Sequence, residues 1–265
     1  MNKFSQKIIL ILCVILFIPQ VKAQDAPNIT DAAGKKQGHW IKFDENKKKI
    51  YDGNFVNSIP EGKFIYFYET GVTKAITVFS QNGKVAQTQH FNEAGKVVGE
   101  GKYINQKKDS LWKFYDVEGK LLSEEIYLDG IKNGGCKVYY RNGQLSEDKI
   151  WVNGFADGVC SKYFEDGTIK FKGQFLKDKA TGKTTYYFPS GQISVEGFYK
   201  DDFKEGPWNY YNEDGSLKKT VHYIQGVPKE KSETNIQTKE EEEKAKNKSG
   251  QIELKDPFKD GGEPK

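Results

Sequence analysis

Residues 206–217 read Gly-Pro-Trp-Asn-Tyr-Tyr-Asn-Glu-Asp-Gly-Ser-Leu, and variants of this stretch recur along the chain with a period of 24. We number each repeat from its first residue as position 0. The eight first residues are Gly38, Gly62, Ala86, Ser110, Gly134, Gly158, Gly182 and Gly206. Positions 5 and 17 are aromatic in every repeat, and position 9 is glycine in all but the first. Because only 14% of the chain is aromatic, sixteen aromatic residues at sixteen positions cannot be chance.

Each repeat is predicted to form two short strands joined by a glycine turn. The residue before the turn glycine varies and includes Thr70, Ala94 and Glu118, which resist positive φ and so disfavour a two-residue type I′ turn. A three-residue loop over positions 7 to 9 needs only the glycine in the left-handed region. This loop pairs position 6 with 10 and position 5 with 11. By strict alternation, positions 5, 11 and 17 share one face, which we predict to be the core.

The repeat therefore predicts an all-β fold over residues 34–228. Eight such hairpins in succession give an elongated, twisted single antiparallel sheet in which each repeat contacts only its neighbours. The 27 glycines and the charged fraction of 29% exclude a long coiled coil and a polytopic membrane protein.

Residues 206–217 and 115–124 resemble the bacterial variant of the MORN repeat, whose pattern is Gly-x-Trp-x-x-Tyr-x-x-x-Gly-x-Leu. The likeness covers residues 34–228 and is weakest in the first repeat, where Lys47 replaces the turn glycine, and in the third, where Thr88 replaces tryptophan. The resemblance implies a β-hairpin array that acts as a binding or scaffolding module. Bacterial members of the YwqK type are often named antitoxin-like.

Residues 1–23 are predicted to be a secretory signal peptide. Lys3 and Lys7 form the basic start, residues 8–18 are an unbroken apolar run, and residues 21–23 (Val-Lys-Ala) supply the small residues of a cleavage site. The apolar run is shorter than the roughly 20 residues of a membrane span, although an uncleaved N-terminal anchor is the alternative. We expect an exported protein, periplasmic or secreted, with a linker over residues 24–33.

Charge gives no reason to expect a nucleic-acid or membrane-lipid partner. The formal net charge is +4, and cleavage removes three lysines and no acidic residue, which leaves +1. Residues 229–265 are rich in charge of both signs and have Phe258 as their only aromatic residue. We expect them to form a charged disordered tail.

The sequence offers no catalytic, cofactor-binding or metal-binding motif, so we expect no cofactor and no enzymatic activity. The histidines His39, His90 and His222 fall at unrelated repeat positions and are expected to be ordinary surface or edge side chains. Cys136 and Cys160 occupy position 2 of adjacent repeats, about 9.6 Å apart at 4.8 Å per strand, which is too far for a disulfide. We expect two free thiols.

The aromatic residues at positions 2, 4 and 6 are the candidate partner-binding face. If the sheet curls, the same residues instead form a second core row, and the sequence leaves both interpretations open. The candidate residues are Phe64, Tyr66, Trp112, Tyr140, Tyr186, Trp208 and Tyr210.

The functional hypothesis is an exported, non-enzymatic scaffold that binds a protein or glycan partner in the cell envelope. One alternative is an antitoxin-like inhibitor of a partner toxin. The other is an enzyme with a site in the trough of the sheet, which would require several titratable groups to converge there.

Overall fold

A computed structural model of the protein describes residues 26–229. The predicted signal peptide falls outside the described residues, and so does the predicted charged tail apart from its first residue. The described part consists of strands and turns. The strands are β1 (Ile29–Thr30), β2 (Lys36–Phe43), β3 (Lys49–Val56), β4 (Ile59–Phe67), β5 (Thr73–Ser80), β6 (Val85–Phe91), β7 (Val97–Ile104), β8 (Lys107–Tyr115), β9 (Leu121–Leu128), β10 (Ile131–Tyr139), β11 (Leu145–Val152), β12 (Phe155–Tyr163), β13 (Ile169–Leu176), β14 (Lys179–Tyr187), β15 (Ile193–Lys200), β16 (Phe203–Tyr211), β17 (Leu217–Ile224) and β18 (Val227–Lys229).

The 18 strands form one open antiparallel sheet in which every strand pairs with the next one in sequence. This arrangement confirms the predicted single sheet of repeated hairpins. Strand β1 lies inside the segment predicted to be a linker and pairs Ile29 with Gln37 and Thr30 with Lys36.

The turn within each repeat has the predicted three-residue form. In the second repeat the Tyr68 amide donates to the Val72 carbonyl at 2.8 Å, and the Gly71 amide donates to the Tyr68 carbonyl at 2.9 Å. Gly71 has φ +84°, so the glycine occupies the left-handed position that the sequence assigned to it. Phe67 pairs with Thr73, which is the expected pairing of positions 5 and 11.

A β-bulge beside this turn overturns the predicted core face. In all eight repeats position 5 pairs with position 11, but position 4 pairs with position 13, which leaves position 12 as the extra residue. An extra residue reverses the alternation of side chains, so positions 13, 15 and 17 share a face with positions 2 and 4. We call this the tryptophan face. The prediction that positions 5, 11 and 17 share the core face is wrong, because positions 5 and 11 lie on the opposite face.

A second bulge explains the small residue at position 0. In the hairpin of β7 and β8, Glu100 pairs with Lys113 and Lys102 pairs with Asp109, so the single residue Gly101 faces three residues. Six of the seven hairpins that join successive repeats carry such a bulge. The residue at position 0 lies in this bulge and has positive φ, as in Gly206 at +72°, which favours glycine there.

The hairpin of β5 and β6 is the exception. Its ladder runs without a bulge from Ala75–His90 to Ser80–Val85. The other hairpins that join repeats have a two-residue loop. Here the loop has four residues, 81–84, because it holds the two residues that lie in the bulge elsewhere. Ala86 stands at position 0 of this repeat, and alanine resists the positive φ that the bulge requires.

Candidate binding surfaces on the two faces of the sheet

The tryptophan face holds the core of the array, and Trp112 shows how. Its side chain is only 1% exposed, and its ring lies directly on Gly101, where an added Cβ would be 2.4 Å from the ring. The indole Nε1–H donates to the Lys102 carbonyl at 3.0 Å, beside the bulge. Tyr103 packs edge-on against the indole with ring centroids 4.8 Å apart. The ring therefore fills the bulge and satisfies its own donor.

Two further repeats use the same arrangement. Trp208 is fully buried over Gly197 and donates to the Phe198 carbonyl at 3.1 Å. Phe64 lies over Gly53, where a Cβ would be 2.4 Å from its ring. In each case the glycine at position 15 precedes the ring at position 2 of the next repeat by eleven residues.

A lysine four residues before each tryptophan of position 2 covers the same face. Its ammonium group lies within cation–π distance of the indole. The pairs are Lys36 over Trp40 at 4.6 Å, Lys108 over Trp112 at 4.8 Å and Lys204 over Trp208 at 4.4 Å. Burial lowers the pKa of Lys108, with the neighbouring Glu125 partly opposing this.

The structure divides the seven residues of the predicted partner-binding face into two groups. Phe64, Trp112 and Trp208 are buried core residues, as the alternative of a second core row requires. The tyrosines are partly buried: Tyr66 stacks on Phe64, and Tyr186 packs at a tilt against Phe171. The Tyr140 hydroxyl bonds to the next repeat, and the Tyr210 hydroxyl bonds within its own repeat. The contacts are Phe64–Tyr66 at 6.1 Å, Phe171–Tyr186 at 5.1 Å, Tyr140 to the Tyr163 carbonyl at 2.7 Å and Tyr210 to the Tyr223 hydroxyl at 3.2 Å.

An open groove of about 520 Å³ interrupts the core at the repeat that lacks the bulge. Thr88 stands where four other repeats have a ring, and Thr77 stands where four have glycine. The two hydroxyl groups bond to each other at 2.8 Å, and Ala75 and Ala86 provide the other small buried side chains that line the groove.

The rest of the groove is aromatic and basic. Tyr66, Phe79 and Tyr103 line it together with Lys74 and Lys84.

His90 also lines this groove and is not the surface side chain that the sequence predicts. It is half-buried, stacks on Trp112 with centroids 6.2 Å apart, and approaches the Tyr103 hydroxyl at 3.4 Å. Burial, with the nearby Lys108 and Lys74, lowers the pKa of His90. The imidazole is therefore neutral at pH 7.

Charged side chains occupy the middle of the tryptophan face. Glu125, at position 15, is buried, accepts a hydrogen bond from the Tyr127 hydroxyl at 2.5 Å and pairs with the Lys132 ammonium at 3.1 Å. Further along the sheet, Glu147 pairs with Lys149 at 2.7 Å and with Lys162 at 3.3 Å.

Burial alone would raise the pKa of Glu147, but Lys149 and Lys162 hold it below its ordinary value. Titratable groups thus converge on this face, as the enzyme alternative requires. Both carboxylates are engaged in ion pairs.

Cys136 and Cys160 are buried free thiols, as predicted. Each takes the place of a ring at position 2. Burial, reinforced by Glu125, raises the pKa of Cys136 to about 11, and burial with Glu147 raises that of Cys160 to about 12. Both are protonated and unreactive at neutral pH.

On the opposite face, the acidic residue at position 14 joins successive repeats. The tyrosine at position 5 of the next repeat donates to this glutamate, and a lysine or glutamine contacts it from the other side. The sets are Gln89–Glu100–Tyr115, Lys113–Glu124–Tyr139 and Lys183–Glu196–Tyr211, with tyrosine-to-glutamate distances of 2.6, 2.8 and 2.8 Å. Burial and the bonded glutamate raise the pKa of Tyr115 to about 12.

The opposite face also carries an exposed apolar band that was not predicted from the sequence. Within residues 26–229, sixteen of the twenty exposed large apolar residues lie at positions 1, 16, 18 and 21. Positions 18 and 21 face each other across the turn that joins successive repeats, as in Leu128–Ile131. The apolar band consists of Val56, Ile59, Val78, Leu111, Ile126, Leu128, Ile131, Ile150, Val152, Phe155, Val159, Leu176, Phe198, Phe203, Ile224 and Val227.

The band can be found in the sequence once the register is known. Positions 18 and 21 are apolar together in several repeats, but without the bulge at position 12 they are assigned to the wrong face.

Within residues 26–229 no group of histidine, cysteine and acidic side chains is arranged to hold a metal ion. The same residues include no helix long and apolar enough to cross a membrane. The fold and its surfaces define an open, single-sheet β-hairpin repeat protein.

Comparison with known families supports this class for the C-terminal repeats. Residues 156–177, 180–201 and 204–225 match the family model of the MORN repeat variant. The starts of these segments follow the same period as the whole array.

Comparison with curated proteins gives no match. Among solved structures, a TarM mutant of S. aureus in complex with fondaparinux, alpha-GlcNAc-glycerol and UDP is 18% identical over 36% of this chain and 19% of its own, with a TM-score of 0.28. The TcdB2–TccC3–Cdc42 structure is 11% identical over 72% of this chain and 12% of its own, with a TM-score of 0.22. The chain thus spans about a fifth or less of these proteins, and at such TM-scores the likeness has no functional meaning.

Proposed function

We propose that this chain is an exported, non-enzymatic scaffold that binds a protein partner in the cell envelope through the apolar band. The observation behind this proposal is the concentration of exposed apolar side chains at four repeat positions on one face. Exposed apolar side chains grouped in this way are typical of sites where proteins interact.

The composition of the band favours a protein over a glycan. Thirteen of its sixteen residues are aliphatic, and only Phe155, Phe198 and Phe203 are aromatic. Sugars are bound by stacking on aromatic rings together with hydrogen bonds, whereas aliphatic rows pack against apolar protein surface. Equivalent positions of adjacent repeats are about 9.6 Å apart along the sheet, which suits an extended partner surface.

The engagement of the charged side chains supports a non-enzymatic role. Glu125 and Glu147 are ion-paired, and no carboxylate lines the groove at Thr88. General acid–base chemistry requires a titratable group within reach of a bound substrate. An antitoxin-like role would use the same band, and the identity of the partner separates the two functions.

The test is affinity capture from envelope extract of the native cell, with the mature chain immobilised. The variant I131S/F155S removes two exposed residues of the band. The matched control V117S/L217S removes two apolar residues outside it that are at least as exposed. Urea unfolding of each variant shows whether the fold is retained.

We expect the wild type and V117S/L217S to capture the same protein, and I131S/F155S to lose at least nine-tenths of it at a similar urea midpoint. Equal capture by all three proteins would contradict the proposal. Recovery of glycan without protein would contradict it as well.

A further inference from the structure

The groove at Thr88 lies where the repeat elsewhere seats its own tryptophan. Part of the surroundings of that ring is retained. Phe79 occupies position 17, as Tyr103 does beside Trp112, and Lys84 occupies position 22, as Lys108 does. The ring itself, the glycine beneath it and the glycine at position 0 are replaced by two threonines and an alanine.

The side chain of Lys84 shows the consequence. The ammonium groups of Lys108 and Lys204 lie over the rings of Trp112 and Trp208. Within residues 26–229, Lys84 has neither an aromatic ring nor an acidic group as a partner. A cation beside an aromatic groove is available to a ring that comes from another molecule.

The hydrogen-bonding groups of the groove argue against a sugar. The hydroxyl groups of Thr77 and Thr88 already bond to each other, and the side chains of Ala75 and Ala86 offer only methyl groups. A sugar would leave the hydroxyl groups that face this buried floor without partners, at a cost in free energy. The edges and faces of Tyr66, Phe79 and Tyr103 suit an aromatic ring, which packs edge-on or offset against others.

The positive charge of the groove sets a second requirement for its ligand. Lys74 and Lys84 line the groove, and none of its lining residues is acidic. A ligand that carries carboxylates beside its ring is complementary to this pair of cations. The volume of about 520 Å³ is enough for a large side chain and part of its backbone.

We propose that this groove binds an aromatic side chain flanked by carboxylates on an extended peptide segment of a partner protein. The site lies on the tryptophan face, whereas the apolar band lies on the opposite face. The groove and the apolar band can therefore be removed by separate substitutions, and disproof of one proposal does not affect the other.

The test is titration of the full mature chain with the peptide acetyl-Asp-Trp-Asp-amide by calorimetry. The peptide acetyl-Asp-Ala-Asp-amide is the control for the ring, and acetyl-Lys-Trp-Lys-amide is the control for the charge. An N-acetylglucosamine oligomer tests the glycan alternative.

Three variants locate the site. T77G/A86G/T88W restores the repeat pattern and supplies the ring from the chain itself. Lys84→Met removes the cation but keeps its stem, and Lys200→Met is the matched control at an exposed lysine outside the groove. Phe258→Ala tests the chain's own tail, where Phe258 stands between Asp256 and Asp260.

We expect the Asp-Trp-Asp peptide to bind and each peptide control to bind at least tenfold more weakly. Lys84→Met should weaken binding about threefold to tenfold, and Lys200→Met should leave it unchanged. T77G/A86G/T88W should abolish binding while I131S/F155S retains it. If the triple variant does not fold, the peptide series and the two lysine variants still test the proposal without it.

Equal binding of the tryptophan and alanine peptides would overturn the proposal. So would an unchanged affinity in Lys84→Met, or binding of the oligosaccharide in place of the peptide. Tighter peptide binding by Phe258→Ala would assign the groove to the tail of this chain and would also overturn it.

Discussion

A glycine beneath an aromatic ring is the residue-scale feature on which the core depends. Gly101→Ala would place a Cβ 2.4 Å from the ring of Trp112, whose indole is held by its bond to the Lys102 carbonyl. The ring cannot move without losing that hydrogen bond. We expect a loss of about 1–3 kcal/mol in the free energy of unfolding, measured by urea titration.

Gly99→Ala is the matched control on the same strand and the same face. A Cβ at Gly99 would lie 3.5 Å from the nearest ring atom of Phe114, an ordinary contact. This variant should change the free energy of unfolding by less than about 0.5 kcal/mol. Equal losses in the two variants would show that the ring over Gly101 is not the cause.

The glutamates at position 14 predict a dependence of stability on pH. The Tyr115 hydroxyl and the Gln89 amide lower the pKa of Glu100, and the Tyr211 hydroxyl with Lys183 lowers that of Glu196. Because both pKa values in the folded state lie below the ordinary 4.5, the stabilisation is complete above pH 4.5 and is lost as the pH falls through the lower values.

We therefore expect the urea midpoint of the wild type to fall between about pH 6 and pH 3. The variant E100Q/E196Q should be less stable at pH 6 and should approach the wild type at low pH. An identical pH dependence in the two proteins would contradict this account of position 14.

The ring–glycine pairs could have been predicted from the sequence, since Gly53, Gly101 and Gly197 each precede a ring by eleven residues. The free thiols were predicted from strand spacing alone. The role of the acidic residue at position 14 was not predicted, because the tyrosine that donates to it lies fifteen residues later, on a neighbouring strand.

At the scale of the element, the two bulges in most repeats decide which face is buried. Gly206→Ala tests the bulge at position 0. An added Cβ there would have open space, so strain at φ +72° is the only cost. We expect a loss of about 1–2 kcal/mol in the free energy of unfolding.

Gly135→Ala is the control for this prediction, because a Cβ at Gly135 also has open space but the residue lacks positive φ. Gly135→Ala should be neutral or slightly stabilising by urea titration. A loss equal to that of Gly206→Ala would mean that backbone strain does not explain the glycine at position 0.

The turn glycine made the three-residue loop predictable, because only that position needs positive φ. The bulge at position 12 was not predictable. Its residue has no special conformation that a residue type would reveal, and Ile50, Lys74 and Ser146 all occupy it. A single uncounted residue then moved positions 13 to 17 to the other face.

At the scale of the whole molecule, an open sheet paired only between successive strands should lose stability locally. Trp112→Ala removes a ring that is 1% exposed, and we expect it to cost about 3–5 kcal/mol in the repeats around β7–β9. Amide hydrogen exchange should show lost protection there and retained protection in β13–β16. Equal loss of protection in all strands would show that the array unfolds as one unit.

The repeat period predicted the single open sheet, since its fixed spacing admits one hairpin per repeat. The apolar band was not predicted. The aromatic residues were the predicted partner-binding face, but Phe64, Trp112 and Trp208 hold the core, and the exposed apolar residues are mostly aliphatic.

The central claim is that the tryptophan face holds the fold and the apolar band of the opposite face meets the partner. The most direct measurement replaces Phe155, in the band, with photoreactive p-benzoylphenylalanine and irradiates intact cells. Val117, exposed but outside the band, carries the same probe as the control. We predict one cross-linked protein partner from position 155 and none from position 117. Cross-links from both positions, or from neither, would contradict the claim.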